Sequence, residues 1–486
     1  MSKEAFLIID AGSGGVKSFI VSPRGKILGQ SERPWKRDSW KSDDAWRKII
    51  NSVSEILADT EADIIAICST GMREEFVLID EEGKEIKYQL NEESKKFGYQ
   101  LLEEYGIEMY TSSGHWPVPD WIAGSILPWL KESKPKIFNK VSSILMISDW
   151  INYKLTGEQA TESTCACETS LFNLIKRDWD WKIVASLGID RSIFPKVLNN
   201  GEILGYTDSY FHHIMNIPDG IPVISGGADT QCGLLGMDTH LSEVGAVGGT
   251  TTPIQAVIQK PILDPDRKTW TNNYLINNYW VIESNVGYTG RSTRWLNEKL
   301  KSQLGYEKLD AQAGKISPGS NGLMTFLGPH LFDSGPPYWK NDKLSDLPVQ
   351  PTIIGSYDFS VATLARAIME ANSYGVKLNL DYLETVSGLN FSYIKFCGGN
   401  SRSETWMQIQ ADVLGIPVII PEVHDASAIG AAVLAANGIN HYADMNKALS
   451  HMLRKGKTFE PRSEYSAKYK QHYSKWLITR EKLGRL

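Results

Sequence analysis

Three glycines in four positions, Gly12, Gly14 and Gly15, interrupt the apolar stretch AFLIIDAGSGGVKSFIV (5–21). Apolar runs on either side of such a turn form a β-hairpin at the start of the chain. Ser22-Pro23-Arg24-Gly25 then turns into a third strand from Lys26 to about Ser31. Trp46, Ile49, Ile50, Val53 and Leu57 recur at helical spacing, with Ser42 placed to cap that helix, and the apolar run Ile64 to Cys68 reads as a buried strand. Three strands, a helix and a fourth strand match neither the plain βαβ repeat nor a helical bundle, so the expected class is mixed α/β.

The opening is echoed at SEVGAVGGTTTPIQAV (242–257), where two apolar stretches flank a second Gly/Thr turn. The following half carries a helical pattern from Phe359 to Tyr374, a strand at 391–397, a helix from Ser403, a strand at 417–420 and an Ala-rich helix over 426–437. A chain of 486 residues exceeds what one core organises. Two domains with a cleft between them are therefore expected, at 1–240 and 241–486.

Four segments carry chemistry. In Asp10-Ala11-Gly12-Ser13-Gly14-Gly15-Val16-Lys17, turned backbone N–H groups can form an anion nest. Ser13 and Lys17 add a hydroxyl and a charge, and Asp10 offers a hard oxygen ligand to Mg²⁺. The spacing fits neither a P-loop, which needs Gly before its Lys, nor a Rossmann fingerprint. Asp229, presented after Gly226-Gly227 at the end of an apolar strand, suits a general base for phosphoryl transfer to a hydroxyl; a helix N-cap is its bland alternative. Gly248-Gly249-Thr250-Thr251-Thr252 is a second phosphate turn, and Gly398-Gly399-Asn400-Ser401 lets a nucleotide approach the backbone.

For the acceptor, Arg73 and Glu74 pair a donor with an acceptor of hydrogen bonds, as a polyhydroxylated ligand requires. Asp149-Trp150 offers a carboxylate for a hydroxyl and a ring for a sugar face; the alternative is a core Trp beside a capping Asp. The nine histidines show no metal spacing.

In this order the segments resemble the FGGY carbohydrate kinases over essentially the whole chain. Asp10 to Ser13, Gly226 to Asp229, Gly249-Thr250, Gly398 to Ser401 with Trp406, Gln408, Ala411 and Asp412, and the run 425–432 match that family's motifs in sequence. The resemblance implies two ribonuclease H-like domains of the actin and hexokinase type hinged over the active site, with ATP and Mg²⁺ as cofactors. It implies Asp229 as base and metal neighbour, Asp10 near Mg²⁺, and Gly12, Ser13, Gly14, Lys17, Gly249 and Thr250 at the phosphates. Gly398, Gly399 and Asn400 are then at adenosine, with Arg73, Glu74, Asp149, Trp150 and Gln231 at the acceptor. STGMREEFVLID (69–80), MISDWINYKLTGE (146–158) and the Gly-Gly-x-Asp-x-Gln segment look most like autoinducer-2 kinases, which makes the linear autoinducer-2 precursor the first expected acceptor. Xylulose and glycerol are the alternatives, and a non-catalytic sugar-responsive protein a more distant one. Lys17 stands for the usual Arg, Ser13 for the usual Thr, and GPHLFDSGPPYWKN (328–341) lacks the Arg that many members carry.

A net charge of −6 argues against nucleic-acid binding. The basic stretch 454–485 interleaves Tyr465, Tyr469, Tyr473 and Trp476 at helical spacing and is expected to dock as an amphipathic helix. Five irregularly spaced cysteines fit free thiols in a reducing compartment. With no signal peptide and no membrane-length apolar run, a cytoplasmic location is expected; a homodimer follows only from family habit.

Overall fold

The computed structural model describes residues 3–35, 41–116, 122–299, 305–329, 351–356 and 358–484, leaving aside the side chains of 297 and 299. The hairpin forms as its glycines dictate: strands Glu4–Gly12 and Gly15–Val21 pair antiparallel, and Ile27–Pro34 adds beyond the second. Asp63–Gly71 pairs parallel to the first strand, and Pro222–Ala228 parallel to Asp63–Gly71. An antiparallel edge strand, Ile203–Tyr206, completes a six-stranded sheet.

The second half repeats the plan. Val244–Val247, Pro253–Ile258 and Trp280–Asn285 form an antiparallel meander, and Ile394–Cys397 and Val418–Pro421 add in parallel on the other side of the first of these. Trp270–Asn273 and Lys455–Phe459 flank it to give seven strands. Two sheets with the same strand order and senses form the doubled architecture that the two Gly-rich hairpins foreshadow.

The first meander is followed by the helix Ser42–Asp59, and the second by the helices Thr289–Lys299 and Gly305–Gly314 before the long helix Val361–Ser387. In the first of these, Ala45, Ile49, Val53 and Ile56 face inward. Ser42 is not its cap: Lys41 occupies the cap position without a side-chain bond, and the Ser42 hydroxyl donates to Glu85 instead. The helix predicted from Phe359 to Tyr374 runs on to Ser387. The helix Ser463–Leu483 buries Tyr469, Tyr473 and Trp476 against the second core, as expected of a docked tail.

Two further helices, Asp229–Gly236 and Ala426–Gly438, follow the last parallel strand of each sheet. The second is apolar on nearly every face because it is enclosed. One side packs on Phe6, Ile8, Phe19 and Ala66 of the first sheet, and another meets the helix Asp229–Gly236. There the backbones touch: a Cβ on Gly430 would lie 2.0 Å from the Cys232 carbonyl oxygen, and one on Gly236 would lie 1.9 Å from that of Ala426. These pairings make the helices antiparallel. All five cysteines are buried and unpaired. Among the described residues no helix is long and apolar enough to cross a membrane.

Candidate active site

Both hairpin turns and the starts of both touching helices open onto one cavity of about 940 Å³. Its wall brings together Asp10, Gly12, Ser13, Gly14 and Lys17 from the first turn, Gly248, Gly249 and Thr250 from the second, Gly398, Gly399 and Asn400 from the third, and Asp229, Asp425 and Ser427. Residues more than two hundred positions apart therefore face each other: the Ser13 and Thr250 hydroxyls are 3.5 Å apart. A cavity of this size accommodates a nucleoside triphosphate.

Local geometry explains how each group is aimed. Asp229 stands at the first position of its helix, Ala228 holds the cap position, and the Asp229 carboxylate accepts from the Thr230 backbone N–H while lining the cavity. Gly226 lets its strand lie close enough to present it, since a Cβ there would sit 1.9 Å from the Ser69 carbonyl oxygen. Gly398 has φ +86°, and its missing side chain admits the Gly248 carbonyl.

Electrostatics distinguish the two carboxyls. Burial, then the neighbouring Asp10, push the Asp229 pKa up to about 7, against the pull of Arg73. Burial also raises Asp10, although the Ser427 hydroxyl donates to its Oδ2 at 2.7 Å. Burial works against the Lys17 ammonium, but its ion pair with Asp425 at 2.7 Å and the charge of Asp10 outweigh that and hold it above its ordinary range. Asp425 is shared with Arg402, also at 2.7 Å. Asn400 lines the cavity, and its Nδ2 is buried without a partner. The far wall includes the apolar side chains of Leu296, Leu309, Ile368, Met369 and Trp406. Trp406 of the late motif and the helical periodicity of 359–374 pointed to part of it.

The acceptor residues divide. Arg73 follows the strand Asp63–Gly71 and lies within electrostatic reach of Asp229. Its Nη1 and Nη2 donate to the two oxygens of Glu283 at 2.6 and 2.8 Å, and Nη1 donates to Glu168 at 3.2 Å. Glu74 beside it is held at φ +70°, a conformation that costs a non-glycine residue about 1 to 3 kcal/mol. Gln231 is buried, its Oε1 accepting from the Thr230 hydroxyl at 2.6 Å and its Nε2 without a partner.

None of the five expected acceptor residues, Arg73, Glu74, Asp149, Trp150 and Gln231, is on the wall of the cavity of about 940 Å³, and Asp149 and Trp150 are held in structural contacts in place of the expected sugar contact. Asp149 is buried in the first turn of Ile147–Thr156 and accepts from the Met146 N–H at 3.2 Å. Trp150 packs in the first core, edge-on to Trp46 with ring centroids 5.9 Å apart. The helix needs its cap and the core its ring. Asp412 of the late motif likewise serves structure: buried itself, it accepts from the half-exposed Arg462 in an ion pair. All but the first two residues of 328–341 lie outside the described residues.

Comparison with known proteins agrees with the doubled fold. The chain is 28% identical to the autoinducer-2 kinase of Enterobacter sp. (strain 638), across 97% of this chain and 93% of that protein. Its fold superposes on a gluconate kinase and a ligand-bound xylulose kinase, both from Lactobacillus acidophilus. Their TM-scores are 0.83 and 0.82, each at 16% identity and each covering 99% of this chain and 98% of the other. Residues 5–236 match the N-terminal domain of the FGGY family of carbohydrate kinases and residues 244–438 its C-terminal domain. The cleft between the two repeated halves is accordingly that of an ATP-dependent carbohydrate kinase, and the chain belongs to the FGGY family.

Proposed function

We propose that the protein transfers the γ-phosphoryl group of ATP to a hydroxyl of the linear autoinducer-2 precursor, with Asp229 as the base. The observation that supports this reading is the Asp229 carboxyl: half-buried on the cavity wall with the glycine turns, raised to about 7 by burial and Asp10, and within electrostatic reach of Arg73. A base matched to neutral pH accepts the acceptor's hydroxyl proton as the oxygen attacks phosphorus. Ser13, Thr250 and the N–H groups of the two glycine turns hold the phosphate oxygens. Lys17 turns from Asp425 to the charge that develops on them. Asn400 and the Gly398-Gly399 turn receive adenosine, whose base lies against the apolar wall.

Asp10 and Asp229 are hard oxygen donors on one cavity and raise each other's energy when both are ionised, so the pair fits Mg²⁺. Among the described residues no group of three or more metal-ligating side chains gathers. The ion would therefore complete its shell with phosphate and water oxygens, and when bound it neutralises phosphate charge.

The choice of acceptor rests on three segments and on the 28% identical relative. Xylulose is the second reading, favoured by the xylulose kinase among the similar folds, and glycerol the third. Such an enzyme would work in the cytoplasm. Measuring ADP release with the autoinducer precursor, xylulose, ribulose, glycerol and erythritol tests the reading. The precursor is expected to exceed the others by about tenfold or more in kcat/KM. A preference for xylulose or glycerol refutes the choice of acceptor, and no turnover of any polyol refutes the reaction.

A further inference from the structure

Arg73 lies within electrostatic reach of Asp229, and its fork is already filled. Glu283, on the strand Trp280–Asn285 of the second half, takes both Nη atoms in a bidentate pair, and Glu168, on the short turn Cys167–Thr169 of the first half, takes Nη1 again. Both carboxyls are buried and further fixed. Glu168 Oε1 accepts from Asn272 at 2.8 Å, and Glu283 Oε2 accepts from Gln255 at 2.5 Å. The His115 ring is 3.3 Å from Glu168 Oε2 and is kept neutral by burial and by Arg73.

The network leaves capacity unspent. His115 Nε2, Glu168 Oε2, Gln255 Oε1 and Asn272 Oδ1 are all buried without a hydrogen-bond partner. Such atoms are costly singly and uncommon in a group. All are acceptors, linked through Arg73 and its two carboxyls, and they suit a ligand whose hydroxyls donate to them. They do not suit an anion. A carboxylate on the acceptor would have to displace Glu283 from the guanidinium, leaving a buried charge unpaired, and would face Glu74, Glu168 and Asp229 besides.

We propose that Glu168 and Glu283, by occupying Arg73, set the charge selectivity of the acceptor site, admitting uncharged polyhydroxy compounds and refusing those that carry a carboxylate or phosphate. This rests on the kinase reading above and adds two specificity-determining residues to it.

The test is ADP release by the full chain with acceptors matched in carbon number, xylulose and xylitol against xylonate, and erythrulose and erythritol against erythronate. Each acid is also tried as an inhibitor of the best neutral compound. The uncharged members are expected to be turned over. The acids should neither react nor inhibit until present at about 100-fold the neutral KM, since juxtaposed like charges cost several kcal/mol. In Glu283→Gln, which keeps the shape and releases the guanidinium, acid inhibition should strengthen about tenfold or more relative to the neutral KM, a change that loosened packing alone would not give. Acids that react or inhibit as well as their neutral partners in the wild type overturn the proposal without any variant. A folded Glu283→Gln protein with an unchanged ratio removes Glu283 from it. Failure of every neutral polyol as an acceptor instead overturns the kinase reading on which it stands.

Discussion

Replacing Asp229 by Asn should cripple the enzyme and stabilise it, and the two effects should separate with pH. The folded protein raises this carboxyl from 3.8 to about 7. The native state therefore binds the proton more tightly than the unfolded chain. Stability from this group is complete below about pH 4 and is lost as pH rises through about 7. Three pKa units at about 1.36 kcal/mol each give about 4 kcal/mol lost by the wild type at pH 8. Asn resembles the protonated acid and pays none of it. At roughly 2 to 4 °C per kcal/mol for domains of this size, Asp229→Asn should melt on the order of 10 °C higher at pH 8, about half that near pH 5.5, and level with the wild type near pH 4. Turnover at pH 8 should fall by about 10² or more with ATP affinity little changed. Thermal unfolding across pH in the absence of nucleotide, paired with ADP release, reads both. A melting difference that is the same at pH 5 and pH 8 would refute the burial argument, and near-normal turnover would refute the base.

Other outcomes follow from the same geometry. Wild-type kcat/KM should rise with pH through about 7 as Asp229 ionises, and a profile flat from pH 5.5 to 8 would contradict it. Lys17→Met should raise the KM for ATP about tenfold or more, the worth of a charged hydrogen bond, while the acceptor KM stays; steady-state kinetics with each substrate varied distinguishes the two. Arg73→Ala should lower stability by about 3 to 5 kcal/mol in chemical denaturation, because Glu168 and Glu283 are left buried without their cation, and should raise the acceptor KM in whatever folds. Trp150→Ala should cost about 3 to 5 kcal/mol of stability yet leave the acceptor KM of the folded fraction alone, whereas a selective rise in that KM would restore Trp150 to the site.

What the sequence disclosed was what is local. Gly-rich turns between apolar runs specify hairpins wherever they occur, so both meanders and the turns that line the cavity were legible, and their order along the chain carried the family. Burial was not legible in the same way. Asp149 and Trp150 have the chemistry of a sugar site, but a carboxylate three residues behind a strand end is equally a helix cap, and only packing decides between them. Glu168, Glu283 and His115 were missed for the opposite reason. They meet from three separate segments with no fixed spacing, and their one local trace is an acid amid small or apolar neighbours, as in Val281-Ile282-Glu283.

The contact between the helices Asp229–Gly236 and Ala426–Gly438 also constrains how the two halves move. Backbones pressed together at Gly236 and Gly430 leave no room for the helices to slide. The helices are antiparallel, so Asp229 and Asp425 sit at opposite ends of the crossing. The contact thus sets the spacing of the two carboxyls on the cavity they share, and even one methyl group at either glycine would change it.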